Sequence, residues 1–241
     1  MGKIRGQISM DSRNLTTKRI TVFAGHYGSG KTNVAVNYAL WLKEKESYVS
    51  VADLDIVNPY FRTKDSQKML ENNKIRLISS EFAGSNVDTP ALPGEIYSVF
   101  ADKSQHAVLD VGGDDRGALA LGRYVPLILE ENNYEVLFVI NKYRFLTKDA
   151  KSTIEVMREI EEASKIKFTA IVNNSNIGEE TKEDDVLSSV SYANEVSELS
   201  GLDIKMTTVK RSLFGTLNNE IKNLQPIDLY VRQSWLREEQ K

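Results

Sequence analysis

Short apolar runs alternate along this chain with longer amphipathic stretches. Seven runs rich in Val, Ile and Phe predict β-strands, namely Ile20–Ala24, Tyr48–Ala52, Ile75–Ser79, Ala107–Val111, Val136–Ile140, Phe168–Val172 and Ile204–Thr208. Several of these runs are apolar almost throughout, which is typical of parallel strands that helices cover on both faces.

The stretches between the predicted strands have helical periodicity. They predict helices over Lys31–Glu46, Thr63–Asn72, Arg116–Glu131, Lys148–Ser164, Glu183–Leu199 and Leu213–Leu224. This alternation predicts a single doubly wound α/β domain with a mostly parallel sheet of about seven strands and helices on both faces. Residues 1–18 are expected to form a flexible tail, and residues 19–241 the domain. Ile227–Lys241 is expected to form a closing helix, whose mixed charges disfavour membrane binding.

Composition and charge exclude several functional classes. The 241 residues include 31 basic and 34 acidic side chains and no cysteine. Disulfides, thiolate metal sites, cysteine-ligated iron–sulfur clusters and cysteine nucleophiles are therefore excluded. The net charge of −3 gives no reason to expect bulk nucleic-acid binding. No apolar run is long enough to span a membrane, and the polar N-terminus lacks a secretory signal, so we expect a cytoplasmic protein.

The strongest motif follows the first predicted strand. Gly25-His26-Tyr27-Gly28-Ser29-Gly30-Lys31-Thr32 matches the phosphate-loop (P-loop) pattern G-x-x-x-x-G-K-[ST], with a strand before it and a helix after it. The glycines let consecutive N–H groups converge on an anion, Lys31 supplies a charge for the β- and γ-phosphates, and Thr32 supplies a hydroxyl for Mg²⁺. A dinucleotide-binding turn is the alternative, but Gly28–Asn33 lacks the last glycine of G-x-G-x-x-G.

Two acidic segments are candidates to complete a magnesium site. Asp110 ends an apolar run and opens Asp110-Val111-Gly112-Gly113, a D-x-x-G pattern in which the aspartate holds Mg²⁺ and the glycine senses the γ-phosphate. Asp53 and Asp55 follow another strand, and their spacing directs both carboxylates to the same side of an extended segment. A capping role for Asp110 and a simple turn at Asp53–Pro59 are the structural alternatives.

Together, these three motifs resemble the MinD/ParA group of P-loop ATPases. More narrowly, residues 25–32 and 53–62 are similar to those of an uncharacterised bacterial branch of ATP-binding proteins, and the resemblance covers Arg19 to about Leu224. It implies a mostly parallel sheet, ATP and Mg²⁺ as ligands, slow hydrolysis and a nucleotide-dependent homodimer. It also implies that Asp55 positions the attacking water, that Asp53 lies near the outer shell of the metal, and that Asp110 is the Walker-B residue.

Two features distinguish this chain within the group it resembles. The position after the first glycine of the loop, where the group has a signature lysine that reaches the phosphates of the dimer partner, is His26 here. Histidine is shorter and usually neutral, so charge neutralisation across a dimer is expected to be weaker or pH-dependent. Some relatives bridge their dimer with cysteine-held clusters or metals, and a chain without cysteine cannot form that bridge.

The sequence favours adenine over guanine as the base of the bound nucleotide. Guanine recognition uses N-K-x-D, whereas Asn141-Lys142-Tyr143-Arg144 has arginine where the acceptor carboxylate must be. Asn173 and Asn174, after the strand Phe168–Val172, are similar in place to the asparagine that contacts adenine in relatives, and one amide can both accept from and donate to the adenine edge. A polar strand end is the alternative. Lys210 is a further candidate beside the base or phosphates.

These residues predict an ATPase switch with an unknown protein partner, in which Asn58–Arg62 and Asp114–Gly117 move with the bound nucleotide. The second hypothesis is a small-molecule kinase or ATP-dependent ligase of the dethiobiotin-synthetase type, with a substrate pocket near Ser85–Gly94 and Arg116. The third is a nucleotide-binding scaffold that does not hydrolyse ATP.

Overall fold

The computed structural model describes residues 16–55, 64–79 and 94–230. The strands in these ranges are β1 (Ile20–Ala24), β2 (Val49–Asp53), β3 (Arg76–Ile78), β4 (His106–Asp110), β5 (Tyr134–Ile140), β6 (Ala170–Asn173), β7 (Ile204–Lys210) and β8 (Leu224–Ile227). The helices are α1 (Lys31–Lys45), α2 (Lys64–Asn72), α3 (Ile96–Ala101), α4 (Asp115–Gly122), α5 (Val125–Glu131), α6 (Ala150–Ser164), α7 (Glu183–Ser200) and α8 (Arg211–Leu217). Among these residues, no helix has the length and apolar character needed to cross a bilayer.

The strands form one sheet in the order β3-β2-β4-β1-β5-β6-β7-β8. Every neighbouring pair is parallel. The chain moves outward from β1 in both directions, so the predicted doubly wound α/β domain is confirmed. Because parallel strands end at the same edge, the residues after β1, β2 and β4 meet at the carboxyl edge, where open α/β sheets bind their ligands.

Each face of the sheet has its own apolar layer. On one face, Tyr38 and Trp41 of α1 are fully buried and pack near Phe23 of β1. On the other face, Phe138 of β5 packs against Phe168, beside apolar residues of α5, α6 and α7. Burial on both faces explains why the central strands are apolar throughout.

Three predicted elements differ from the structure. The predicted helix Arg116–Glu131 is two helices, because α4 ends at Gly122 and Pro126 lies in the first turn of α5, where proline needs no N–H partner. The predicted helix Leu213–Leu224 ends at Leu217, and Leu224 starts an eighth strand. Ile227 therefore belongs to β8 rather than to a closing helix, and residues 231–241 lie outside the described residues.

A buried polar cluster, here called the amino-end cluster, lies near the amino ends of the central strands. Thr21 of β1 and Glu135 of β5 are paired in register, and the Thr21 hydroxyl donates to Glu135 Oε1 at 3.1 Å. Tyr38 OH donates to the same oxygen at 3.0 Å, and Lys205 Nζ forms an ion pair with Glu135 Oε2. Burial raises the pKa of Tyr38 well above its usual value, and the Glu135 charge adds to the rise. Every member of this cluster has a protein partner.

Candidate functional site

The loop between β1 and α1, which the sequence predicts to bind phosphate, contains glycines in the left-handed region. Gly28 and Gly30 have φ angles of +77° and +86°, which glycine adopts without strain. A Cβ atom at Gly30 would lie 2.3 Å from Asn174 Nδ2, so a larger residue has no room. Gly30 is the residue before the first turn of α1, where free N–H groups and the helix dipole attract anions.

Lys31 is buried at the mouth of this loop, with 7% of its surface exposed. Its Nζ donates to the His26 carbonyl oxygen at 3.2 Å, and no carboxylate oxygen of the described residues lies within ion-pair distance. Burial lowers the pKa of Lys31, while the charges of Asp110, Asp55 and Asp114 partly oppose that shift. A buried ammonium held by one carbonyl is suited to receive an anion.

Asp110 at the end of β4 lies next to the first turn of α1. Its Oδ2 accepts a hydrogen bond from Thr32 Oγ1 at 2.6 Å, and only 1% of the residue is exposed. Its Oδ1 is buried and has no hydrogen-bond partner among the described residues. Burial raises the pKa of Asp110 to about 7, although the Thr32 hydroxyl and the Lys31 charge oppose the rise. A capping role therefore does not explain Asp110, because its carboxylate bonds Thr32.

The acidic segment after β2 lies beside Asp110. The Leu54 N–H donates to the Asp110 carbonyl at 2.8 Å, and the Asp55 N–H donates to Asp53 Oδ1 at 2.9 Å. Asp53 is buried and Asp55 is half-buried. A Cβ atom at Gly112 would lie 3.3 Å from Asp55 Oδ1, so the D-x-x-G segment and Asp55 are in close approach. The structure thus brings the predicted acidic residues together on one side of the loop.

The second glycine of the D-x-x-G segment contacts the phosphate loop directly. A Cβ atom at Gly113 would lie 2.6 Å from Tyr27 N and 2.8 Å from Lys31 Nζ. Asp114 caps α4 by accepting from the Gly117 N–H at 2.9 Å. Residues 56–62, including the predicted moving segment Asn58–Arg62, lie outside the described residues, as does 85–93 of the predicted substrate pocket.

The remaining predicted loop residues differ in exposure. Tyr27 is 55% exposed, and His26 is half-buried, with its Nδ1 3.0 Å from the Tyr27 carbonyl oxygen. Ser29 is buried, and its Oγ has no hydrogen-bond partner among the described residues. Asn33 is half-buried in the first turn of α1, and its carbonyl accepts from Asn37 Nδ2. His26 and Tyr27 therefore form the outer rim of the loop.

Asn173 and Asn174, predicted to contact the base, are both buried and hydrogen-bonded within the protein. Asn173 Nδ2 donates to Ser189 Oγ at 2.9 Å. Asn174 Nδ2 donates to the Ser29 carbonyl at 2.6 Å, and its Oδ1 accepts from Thr208 Oγ1 at 2.6 Å. The sequence did not predict that Asn174 links the phosphate loop to β7.

A shallow pocket opens at the carboxyl ends of β6, β7 and β8. Its lining consists of Asn174, Ser175, Asn176, Gly178, Thr181, Val186, Thr208, Val209, Lys210, Ile227 and Leu229. Lys210 Nζ forms an ion pair with Glu179 at its rim. The guanidinium of neighbouring Arg211 donates hydrogen bonds to both carboxylate oxygens of Asp228, at 2.8–3.0 Å.

Sequence reasoning missed one further contact of the loop. Arg144, which the sequence marked only as a mismatch to N-K-x-D, donates from Nε to the Gly28 carbonyl at 2.7 Å. No spacing rule connects residues so far apart, because the contact depends on β1 and β5 being neighbours.

The donor set fits Mg²⁺ bound together with phosphates. Magnesium is usually held by one or two carboxylates or hydroxyls, by waters and by substrate phosphates rather than by a full protein cage. Thr32 Oγ1 and the unpartnered Oδ1 of Asp110 are such donors. In the described ranges no three His, Asp or Glu side chains group closely enough to hold a metal ion by themselves.

No protein family and no curated protein matches the chain. Among solved structures, it is similar to FtsY of Thermotoga maritima, with 17% identity and a TM-score of 0.54 over 85% of this chain and 66% of that one. Chloroplast FtsY from Physcomitrella patens gives 16% identity and a TM-score of 0.54 over 80% and 59%. FtsY from Mycoplasma mycoides has 20% identity and a TM-score of 0.51, and the match covers 84% of this chain and 63% of that one.

This chain spans between 59% and 66% of the length of these three structures. At such identities the likeness concerns the fold, which agrees with the sheet order and with the position of the loop after β1. The chain therefore shares the overall α/β fold of FtsY.

Proposed function

We propose that this protein is a magnesium-dependent ATPase that acts as a nucleotide-controlled switch. The observation that carries the proposal is the arrangement of Lys31, Thr32 and Asp110. A buried ammonium without an ion-pair partner in the described residues faces a glycine nest, and a buried carboxylate oxygen lacks a hydrogen bond beside it. Such groups cost free energy in a folded protein unless a ligand completes them.

Each residue then has a distinct role. The backbone of Gly25–Asn33 binds the phosphates, and Lys31 neutralises their charge. Thr32 and Asp110 hold Mg²⁺, with Asp53 near its outer shell, and Asp55 orients the water that attacks the γ-phosphate. When bound, Mg²⁺ would neutralise the charge that develops on the phosphates.

Adenine is the proposed base. Guanine needs a carboxylate acceptor, but Arg144 occupies that position of the N-K-x-D pattern and is bonded to Gly28. We propose that the base binds in the pocket beyond β6 and β7, which is lined by amides, hydroxyls, Lys210 and four apolar side chains. The carboxylate at its rim, Glu179, is paired with Lys210. Asn174 and Lys210 line this pocket. Asn173 does not line it, but its Oδ1 accepts hydrogen bonds from the N–H and the hydroxyl of Ser175, which does.

The proposed switch belongs with the MinD/ParA-like proteins and forms a homodimer when ATP is bound. Tyr27 and His26 on the rim of the loop would then face the second subunit. We expect light scattering to give the mass of a dimer with a non-hydrolysable ATP analogue and Mg²⁺, and that of a monomer with ADP. An identical mass in both conditions would contradict the dimer without affecting nucleotide binding.

The central test is nucleotide binding by Lys31→Ala. The variant removes the phosphate-binding charge, so we expect ATP affinity to fall at least about a hundredfold in calorimetry. Lys45→Ala is the matched control, because Lys45 is an exposed cation on the same helix whose Nζ lies 4.3 Å from the centre of the Trp41 ring. Unchanged affinity in Lys31→Ala would refute the phosphate-loop assignment.

The same titrations with GTP decide the base, since tighter GTP binding would contradict adenine and leave the phosphate loop intact. Phosphate released to water supports the ATPase, whereas its transfer to a small acceptor would identify the kinase or ligase alternative.

A further inference from the structure

Two consecutive carbonyl groups of the phosphate loop accept hydrogen bonds from side chains that follow neighbouring strands. Arg144, in the turn after β5, donates from Nε to the Gly28 carbonyl at 2.7 Å. Asn174, directly after β6, donates from Nδ2 to the Ser29 carbonyl at 2.6 Å. Both donors pack closely on the loop. A Cβ atom at Gly28 would lie 3.2 Å from Arg144 Nε, and one at Gly30 would lie 2.3 Å from the Asn174 amide.

These two bonds decide which way the peptide groups of the loop face. In a planar trans peptide, the C=O of one residue and the N–H of the next point in opposite directions. A donor that holds the Gly28 carbonyl therefore turns the Ser29 N–H to the other side. That N–H donates to the His26 carbonyl oxygen at 3.2 Å, and Lys31 Nζ donates to the same oxygen. The backbone donor and the ammonium thus face one point, as the binding of one phosphate requires.

The amide of Asn174 is itself fixed in orientation. The residue is 2% exposed, and its Oδ1 accepts from Thr208 Oγ1 at 2.6 Å. An asparagine amide has one donor end and one acceptor end, so a hydroxyl that donates to Oδ1 leaves Nδ2 directed at the Ser29 carbonyl. Thr208 of β7 therefore determines which end of the amide faces the loop.

The turn that carries Arg144 is joined to the turn that carries Asn174. The Arg144 N–H donates to the Asn141 carbonyl at 3.1 Å, and Asn141 is buried. The Asn141 side chain accepts from the Asn176 N–H at 3.3 Å and donates to the Asn176 carbonyl at 3.1 Å. One buried asparagine thus connects the two turns, so the two donors belong to a single support of the loop.

We propose that Arg144 and Asn174 are positioning residues of the phosphate site, which hold two loop carbonyls so that the backbone N–H groups face the phosphates. This inference rests on the proposed function and assigns two residues to the same site. Arg144 then acts through its Nε–H rather than through its charge. Asn174 then contributes to phosphate binding whether or not the ligand carries a base.

The first test separates the hydrogen bond of Arg144 from its charge. Arg144→Gln removes the charge but keeps an N–H donor, because glutamine Nε2 and arginine Nε are the same number of bonds from the backbone. Arg144→Lys keeps the charge and places its donor farther out. Calorimetry with Mg²⁺ measures the affinity of each variant for a non-hydrolysable ATP analogue and for inorganic tripolyphosphate, which has no base.

We expect Arg144→Ala to weaken both ligands by about tenfold, Arg144→Gln to stay within about threefold of the wild type, and Arg144→Lys to be intermediate. Lys148→Ala is the control for charge, because Lys148 is an exposed cation that follows the same turn and lies over the Phe145 ring. It should bind both ligands as the wild type does.

The second test releases the amide of Asn174 without replacing it. Thr208→Val removes the hydroxyl that fixes the amide, so we expect tripolyphosphate affinity to fall by about three- to tenfold, and Thr208→Ser should restore it. Thr153→Val is the matched control, because Thr153 is a fully buried threonine whose hydroxyl bonds Tyr192 OH at 2.8 Å. It should lose stability in urea denaturation and bind tripolyphosphate as the wild type does.

Three results would overturn the proposal. If Arg144→Gln bound as weakly as Arg144→Ala, the effect of the arginine would come from its charge. Losses confined to the ATP analogue would make both residues contacts of the base, and unchanged tripolyphosphate affinity in Arg144→Ala and Thr208→Val would leave them a role in folding alone. Failure of the wild type to bind either ligand would overturn the proposed function as well, so the two failures are distinguishable.

Discussion

Two buried clusters, at opposite ends of the central strands, contain the same three kinds of group. The amino-end cluster has Lys205, Glu135 and Thr21, and the site at the carboxyl edge has Lys31, Asp110 and Thr32. In the first cluster the lysine and the carboxylate form an ion pair, and both carboxylate oxygens are bonded. In the second, Lys31 contacts a carbonyl, and one oxygen of Asp110 has no partner among the described residues.

This difference in hydrogen bonding distinguishes a cluster that stabilises the fold from a candidate binding site. A buried ion pair with complete hydrogen bonding stabilises the fold without needing a ligand. A buried lysine and carboxylate that are close but incompletely bonded are retained at a cost in stability, which is expected where a ligand supplies the missing partners. Residue types alone do not distinguish the two clusters, because both combine lysine, a carboxylate and threonine.

The largest expected effect comes from substituting each lysine by methionine. Lys205→Met leaves Glu135 buried without its cation, so we expect the free energy of unfolding to fall by about 3–5 kcal/mol. Lys31→Met removes a buried charge whose pKa is already lowered by burial, so the change should stay below about 1 kcal/mol. Urea denaturation of the ligand-free proteins measures both values. Equal losses would show that the clusters are equivalent.

The next effect concerns catalysis. Asp55→Ala should retain ATP binding while its hydrolysis rate falls about a hundredfold, close to 2.7 kcal/mol of activation free energy, because the attacking water loses its orienting group. Tyr38→Phe in the amino-end cluster should hydrolyse ATP at the wild-type rate and lose about 1 kcal/mol of stability with its hydrogen bond to Glu135. Single-turnover assays give the rates, and a wild-type rate in Asp55→Ala would exclude its proposed role.

The smallest effect is a pH dependence at Asp110. Its pKa is about 7 in the folded protein and 3.8 when unperturbed, so between these values the folded state holds a proton that the unfolded chain releases. The stabilisation is complete below pH 4 and is lost as pH rises through 7. We expect the unfolding free energy of the wild type to fall by about 2.5 kcal/mol relative to Asp110→Asn between pH 5 and pH 8. Denaturation at pH 5 and pH 8 measures this difference, and parallel profiles would contradict it.

Much of the fold follows from the chain's own pattern. The strands Ile20–Ala24 and Val136–Ile140 are apolar enough to be recognised without the sheet, and the loop motif fixes where α1 begins. β8 was missed because Leu224–Ile227 is short and contains proline, which sequence rules assign to turns or sheet edges. As the last strand in the sheet order, β8 is placed by its pairing with β7.

The site was predictable only where each of its residues stands in a short sequence motif. Residues 25–33 and Asp110 carry recognisable motifs, and the structure brings Lys31, Thr32 and Asp110 together. The contacts of Arg144 with Gly28 and of Asn174 with Ser29 depend on which strands are neighbours, and that order is not encoded in any local spacing. Whether Asn141–Arg144 reads a base or holds the loop was therefore not decidable from the motif.

The close approach of Gly30 and Asn174 has a consequence for how this sequence can vary. The amide of Asn174 fills the space that a Cβ atom at position 30 would need, and it bonds both the loop and β7. A larger residue at position 30 would displace this amide, and it would also be strained because Gly30 has a φ angle of +86°. Relatives that keep this loop should therefore keep glycine at position 30 even where Asn174 is replaced, and a sequence without that glycine should have a different loop.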